Sequence, residues 1–209
     1  MKKFSEWKRE EIEDVFLLTE VEELSFLEDW IAYRSDILDH ENQQISKLCN
    51  RLRKHVIDWN EEELKMHFIA LLLDLVDFNQ KNSKAFFERS FEVNVNNDVL
   101  KGNVECVIAR GKRSPKIPFF CLHEYKKEID SSSDPLGQVL IAMVAAQMIN
   151  QDSEPIYGVY IVGRFWHFLV LHEKNYCLNL ALDATKKSDI ESIFFMLKYI
   201  KKIVKDRTE

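Results

Sequence analysis

The sequence predicts an α/β or α+β sandwich in which helices flank a mixed central β-sheet. Two switches in hydrophobic period carry that expectation. Helical spacing in the first third gives way after about residue 78 to the alternation of strands, and "DPLGQVLIAMVAAQMIN" (134–150) then returns the chain to a helix before more strands follow. Composition agrees with a single packed unit. With 46% apolar and 31% charged residues over 209 positions, the make-up is that of an ordinary globular protein, and 5 Gly and 4 Pro leave little room for long linkers. The expected organisation is an N-terminal helical extension over 1–57 and a main domain over 58–209, together forming one compact unit.

The elements follow in order. Thr19 and Glu22 have the spacing of a capping box, with Leu24, Leu27 and Ile31 at helical intervals behind them. A second helix, at about 42–57, presents Ile45, Leu48, Leu52 and Val56 on one face. The next is the clearest: Asn60 is a good N-cap, Glu63 takes the capping-box position, and Met66, Ile69, Leu72/Leu73 and Val76 predict a helix over 61–78. "FFERSFEVNV" (86–95), "VECVIARG" (104–111) and "IPFFCLHEYK" (117–126) then read as strands, and their short connections predict an antiparallel meander. In the following helix Asp134 is the N-cap and Pro135 the first helical residue. Strands at 155–163, 165–173 and 176–182 come next, the first two joined tightly at Gly163-Arg164, and Ser188 caps a last helix to about 205.

Several function classes are disfavoured. "MKKFSEWKREEIEDVF" has no uninterrupted apolar region, and the longest apolar runs fall far short of the roughly 20 residues of a membrane span, so a soluble, cytoplasmic protein with no membrane partner is expected. Cys49, Cys106, Cys121 and Cys177 form no CxxC pair and read as packed, reduced thiols. A formal charge of −6 argues against a general nucleic-acid coat, since phosphate affinity comes from clustered Lys and Arg. It leaves room for a local basic groove. Candidates are Arg110, Lys112, Arg113 and Lys116 in "RGKRSPK", Lys126-Lys127, and Lys186-Lys187; Lys198, Lys201, Lys202 and Lys205 read better as a solvated helix face.

The informative stretch is "FFCLHEYKKE" (119–128), where an apolar strand runs straight into charge. Alternation puts Glu124 and Lys126 on one face with Phe120 and Leu122, and Cys121, His123 and Tyr125 on the other. Glu105 sits amid the apolar residues of its own strand, where an acid needs a reason to be. If strand 104–111 pairs with 117–126, Glu105 meets Glu124, and two converging carboxylates make an oxygen-rich site for a hard cation such as Mg²⁺. A lysine beside them would orient the attacking water and offset charge on a phosphate. Acid-x-Lys occurs three times, at Glu6-Trp7-Lys8, Glu63-Leu64-Lys65 and Glu124-Tyr125-Lys126, and only the third lies on a strand after an acid-bearing strand and before a helix.

That ordered set resembles the PD-(D/E)XK nuclease superfamily over roughly 60–182: a helix with an acid (Glu63), "GNVECVIA", "HEYKKE", then a helix with a glutamine in "DPLGQVLIAMVAA". "IYGVYIVGRFWHFLVL" is similar to the Gly-Trp hairpin of several bacterial branches of that group. The resemblance implies a restriction-endonuclease-like core and a metal-dependent phosphodiesterase acting on nucleic acid, usually DNA. Carried over by position, Glu105 and Glu124 would hold Mg²⁺ or Mn²⁺ with the backbone carbonyl of Tyr125, Lys126 would position the attacking water, Glu63 would stand behind them or bind a second metal, and Gln138 would orient Lys126 or the substrate. Glu105 departs from the Asp most common at its position. The other reading is a nuclease-like fold serving as a binding or assembly module.

Blander readings compete residue by residue. Glu63 is explained as a capping residue, Glu124 and Lys126 as a surface ion pair, and Trp166, Phe165 and Phe168 as hairpin core. A site built on His123, His167 and His172 lacks ligand-like spacing. The "RGKRSPK" loop, with Lys127, is the expected phosphate contact if it flanks the carboxylates. Residues 1–57 have three roles open: covering the sheet, forming a homodimer, or binding a partner.

Overall fold

The computed structural model describes residues 2–95, 98–128 and 134–208. After a 3₁₀ turn (Phe4–Glu6) come α1 (Arg9–Phe16), a two-residue strand β1 (Thr19–Glu20), α2 (Ser25–Ala32) and α3 (Asp39–His55). A short α-helical turn α4 (Glu61–Leu64) runs through a π-helical segment (Lys65–Ile69) into α5 (Ala70–Val76). Then β2 (Ser83–Val95), β3 (Asp98–Arg110) and β4 (Lys116–Lys126) form the antiparallel meander that alternation predicts. α6 (Pro135–Asn150) carries the chain to β5 (Ile156–Val162), which lies parallel to β4. β6 (Phe165–His172), β7 (Asn175–Leu178) and β8 (Leu182–Asp183) follow, and α7 (Lys187–Thr208) ends the chain. Among the described residues, eight strands make one mixed sheet in the order β1-β7-β6-β5-β4-β3-β2, with β8 on β6.

Alternation along the strands divides the interior into two apolar layers. Cys106, Ile108, Cys121, Val159 and Phe168 face a layer closed by α2, α3, α5 and α7. Val104, Val107, Ala109, Leu169 and Leu171 face the other, closed by the N-terminal turn, α1 and α6. α6 is buried from Val139 through Ala146 on every side, because α1 and the turn before it cover the face that the sheet leaves open. The caps behave as the sequence predicts: Asn60 and Glu63 exchange bonds of 2.9 Å, and Asp134 accepts from the amide of Gly137 at 2.9 Å. All four cysteines are free and buried. Among the described residues no helix is long and apolar enough to cross a membrane.

Two local expectations are corrected. Thr19 does not cap a helix; it opens β1, whose neighbours donate to Lys174 O (2.8 Å, from Thr19 N) and Tyr176 O (2.9 Å, from Val21 N), so edge pairing with β7 outcompetes the capping box. Phe120 does not share a face with Glu124. Ile108 pairs with Cys121 but Ala109 with Phe119, which leaves Phe120 as the extra residue of a β-bulge and turns its ring into the layer of Cys121 and Tyr125.

Residues from the first 57 belong to the shared core. Trp30 is fully buried, donates from Nε1 to Met196 O at 2.7 Å, and meets the rings of Tyr157 and Phe168 edge-on. Trp30→Ala is expected to cost roughly 3–5 kcal/mol in urea unfolding, and Ile31→Ala, on the half-open side of the same helix, less than about 1 kcal/mol.

Candidate active site

The strand ladders place the acids. β3 and β4 pair Val107 with Leu122 and Cys106 with His123, so one step further Glu105 stands opposite Glu124. β2 pairs Phe87 with Cys106 and Arg89 with Val104, so Glu88 stands opposite Glu105 from the other side. Three carboxylates therefore lie in a row across three adjacent strands. Glu88 holds a left-handed backbone (φ +50°) within its strand, a conformation a non-glycine residue adopts only at a cost.

Two lysines hold this row. Lys126 Nζ lies 2.7 Å from Glu124 Oε1 and 3.8 Å from Glu61 Oε2. Lys65 Nζ lies 2.6 Å from Glu105 Oε2, 3.2 Å from Glu61, 3.1 Å from Glu62 and 3.7 Å from Glu88. Lys65 opens the π-helical segment, across which it faces the carboxylates while Leu64, Phe68 and Ile69 stay buried.

Burial dominates the titration of the acids. Glu124 is 6% exposed, and burial pushes its carboxyl up to about 7 against the pull of Lys126. Burial also raises Glu105, with Lys65 drawing it down and Glu88 adding to the rise. Burial alone would lower both lysines. The carboxylates around them outweigh it, so Lys65 and Lys126 both sit above their ordinary value and are cations at neutral pH.

Gln138, in the first turn of α6, lines a pocket of about 400 Å³ with Glu105, Glu124 and Lys126. The other wall of that pocket, Lys2, Lys3, Phe4, Ser5 and Lys101, is absent from any sequence motif. Tyr125 turns its ring into the opposite layer, where its hydroxyl lies 3.2 Å from His123 Nδ1. Glu63 is held in its capping pair with Asn60, and it is Glu61 that approaches Lys126. The missed residues had faint signals: Glu61 and Lys65 have the spacing of an i,i+4 pair, and Lys65 ends the second acid-x-Lys triplet.

The histidines do not converge. His123 is buried and pushed down to about 3 by that burial, His167 stacks on Tyr160, and His172 meets Ser153 O. Trp166 and Phe168 lie in the core.

The basic loop requires a correction. Arg110, Lys112, Arg113 and Lys116 sit at the β3–β4 turn, five to eight residues along the strands from Glu105 and Glu124, which is roughly 15–25 Å at the rise of a strand. They line a separate pocket of about 500 Å³ and do not flank the carboxylates, because the hairpin puts turn and acids at opposite ends. Lys127 is exposed just beyond Lys126.

The oxygens gathered where β3 meets the end of β4 are those of two carboxylates. Glu105 adds to the rise that burial imposes on Glu124. Among the described residues no three His, Cys, Asp or Glu side chains form a group able to hold a metal ion. A scan of protein-family models finds none that matches the chain, and a search of the curated proteins finds no match.

Lys65→Ala removes the cation closest to Glu105 and leaves that acid beside Glu88. The expected cost in urea unfolding is roughly 1–3 kcal/mol at pH 8, below that of a fully buried pair because Glu105 keeps some contact with solvent. Glu105 has a raised value in the folded state, so at pH 5 it keeps more of its proton and the cost shrinks. An equal loss at both pH values would show that Lys65 is not what relieves Glu105.

Proposed function

We propose that this protein is a Mg²⁺- or Mn²⁺-dependent phosphodiesterase of the PD-(D/E)XK kind, acting on nucleic acid with DNA as the first candidate. One observation carries the reading: Glu105 and Glu124 face each other on adjacent strands, with Lys126 Nζ 2.7 Å from Glu124. The order of elements around them supports it. A helix bearing Glu61, the meander β2-β3-β4, the crossover helix α6 and the parallel strand β5 follow one another in the order that the resemblance implies.

In this mechanism Glu105 and Glu124 would hold the ion, with the backbone carbonyl of Tyr125 as the third donor that the resemblance implies. When bound, the ion supplies Lewis acidity, making water a better nucleophile and offsetting phosphate charge. Lys126 remains protonated beside Glu124, so it serves as a donor that orients the attacking water and stabilises developing negative charge, not as a base. Gln138 lines the same pocket from α6, within the space a phosphate would enter. Glu61 stands behind Lys126 and helps keep it charged.

A second reading, a non-catalytic nuclease-like binding module, draws on one observation. Lys65 already occupies Glu105 Oε2 at 2.6 Å, and an ion would have to compete with it there.

The assay that separates them is cleavage of supercoiled plasmid and a single-stranded oligonucleotide in Mg²⁺ or Mn²⁺, with an EDTA control. Lys126→Ala is expected to abolish cleavage while keeping the fold and the metal-induced rise in melting temperature; Glu124→Ala is expected to lose cleavage and that rise together. Wild-type activity in either variant would sink the assignment. The rise should also depend on pH. Glu124 must release its proton to water before its carboxylate can bind the ion, so stabilisation by Mg²⁺ grows from pH 6 to pH 8. The metal-free protein moves the other way: folded Glu124 holds its proton up to about 7 instead of 4.5, so its contribution falls from about pH 4.5 to about pH 7 and is flat above that. A metal response unchanged between the two pH values would remove Glu124 from the ligand set.

A further inference from the structure

Glu105 belongs to two pockets of different chemistry. One is the pocket of about 400 Å³ walled by Lys2, Lys3 and Lys101. The other, of about 260 Å³, is lined by Met66, Ile69, Phe87 and Tyr125 around Lys65 and the carboxylates of Glu62, Glu88 and Glu105. Phe87 is 43% exposed and Met66 65%, so two large apolar side chains stand open to water beside Lys65 and its carboxylates.

The basic wall is built into the fold. Phe4 lies so close over Gly102 that a β-carbon there would come within 2.1 Å of its ring, which fixes the course of the N-terminal segment across β3. The result is a backbone bridge that pairs Lys3 with Lys101. Like charges directly opposite one another are unfavourable unless an anion joins them. Glu92 meets Lys101 at 3.0 Å, and among the described residues no acid lies within ion-pair distance of the Lys3 ammonium.

We infer that the site takes a single-stranded nucleic acid, with an unpaired base lying on Phe87 and Met66 and the strand's phosphates passing Lys3 and Lys101. This rests on the phosphodiesterase reading and names its substrate class. A duplex keeps its base faces stacked inside the helix and cannot offer one to Phe87, whereas an unpaired strand can. Burial of Glu124 points the same way, since a recessed carboxylate is reached more readily by a flexible strand than by a rigid rod. Lys2 is paired with Glu11 and Lys101 with Glu92, and phosphates passing Lys3 and Lys101 would join these pairs and supply sequence-independent attraction beside the acids.

The test is fluorescence anisotropy in EDTA with a labelled single-stranded oligonucleotide and with the duplex of the same sequence. The wild type is expected to bind the single strand more tightly. Phe87→Ala should weaken that binding roughly five- to a hundredfold and Phe87→Tyr should retain it, because the phenol still offers a ring face. Lys3→Ala with Lys101→Ala should make the slope of log K against log salt shallower by about 1.4, or about 0.7 per lost contact. Lys112→Ala with Arg113→Ala, at the far turn, should change neither. Melting curves check that each variant is folded. Duplex bound as tightly as single strand, no effect of Phe87→Ala in a folded protein, loss confined to the far turn, or no binding at all would each overturn the proposal. The two readings fail separately. Cleavage of duplex alone would leave a phosphodiesterase with the wrong substrate assigned, while tight single-strand binding without metal-dependent cleavage would leave the substrate surface and remove the enzyme.

Discussion

A row of carboxylates that the sheet forces together, and two lysines that make the row tolerable, organise this molecule. Glu88, Glu105 and Glu124 are neighbours because β2, β3 and β4 pair in register, and register is fixed by the apolar residues on either side of them. Shifting β3 by one residue would send Cys106 and Ile108 into the layer that Val107 and Ala109 fill and the reverse, so the packing of both layers holds the acids in a place that electrostatics alone would refuse. Lys65 from the π-helical segment and Lys126 from β4 offset part of the cost. The remainder appears as the upward displacement of Glu105 and Glu124.

The same constraint gives the N-terminal part of the chain its place. The sheet covers only one side of the apolar α6, and α1 with the turn before it closes the other side of that layer. In doing so the turn brings Lys2 and Lys3 over β3 beside Lys101, so one packing event both completes the core and adds positive charge to a pocket floored by acids. Trp30, on the opposite face, ties α2 to α7 and to the central strands in the same way. Residues 1–57 therefore cover the sheet on both faces, the first of the roles open to them on sequence.

How much of this was legible follows from which interactions are local. Strand alternation, the Asn60 and Asp134 caps and the apolar α6 are local patterns, and the structure follows them to within a few residues. The meeting of Glu105 with Glu124 was legible because a hairpin with a short turn leaves few registers. The bulge at Phe120 and the edge pairing of Thr19 were not, since each depends on a partner strand remote in sequence or on one extra residue in a ladder. Lys65 was hidden for a different reason: periodicity marks the buried face of its helix and is silent about which exposed residue a distant strand will approach. The basic loop misled because clustered charge shows affinity for phosphate and says nothing about position; its place at the far end of the hairpin follows from strand direction.

The glutamate at 105, where the PD-(D/E)XK pattern most often has aspartate, gains a physical account from Lys65. Glu105 Oε2 lies 2.6 Å from Lys65 Nζ, and an aspartate on the same backbone would fall short by about one carbon–carbon bond. The ion pair would then open beyond hydrogen-bonding distance and leave Lys65 shared between Glu61, Glu62 and Glu88 alone. The longer side chain spans from the sheet to the helix that carries Lys65. Under the proposed function, an ion at Glu105 would draw on the same carboxylate that attaches this helix to β3, and would have to leave the lysine the other oxygen or displace it. Lys65 is thus the group through which occupancy of the site would reach α4 and the π-helical segment, and beyond them the apolar pocket that Met66 and Phe87 hold open.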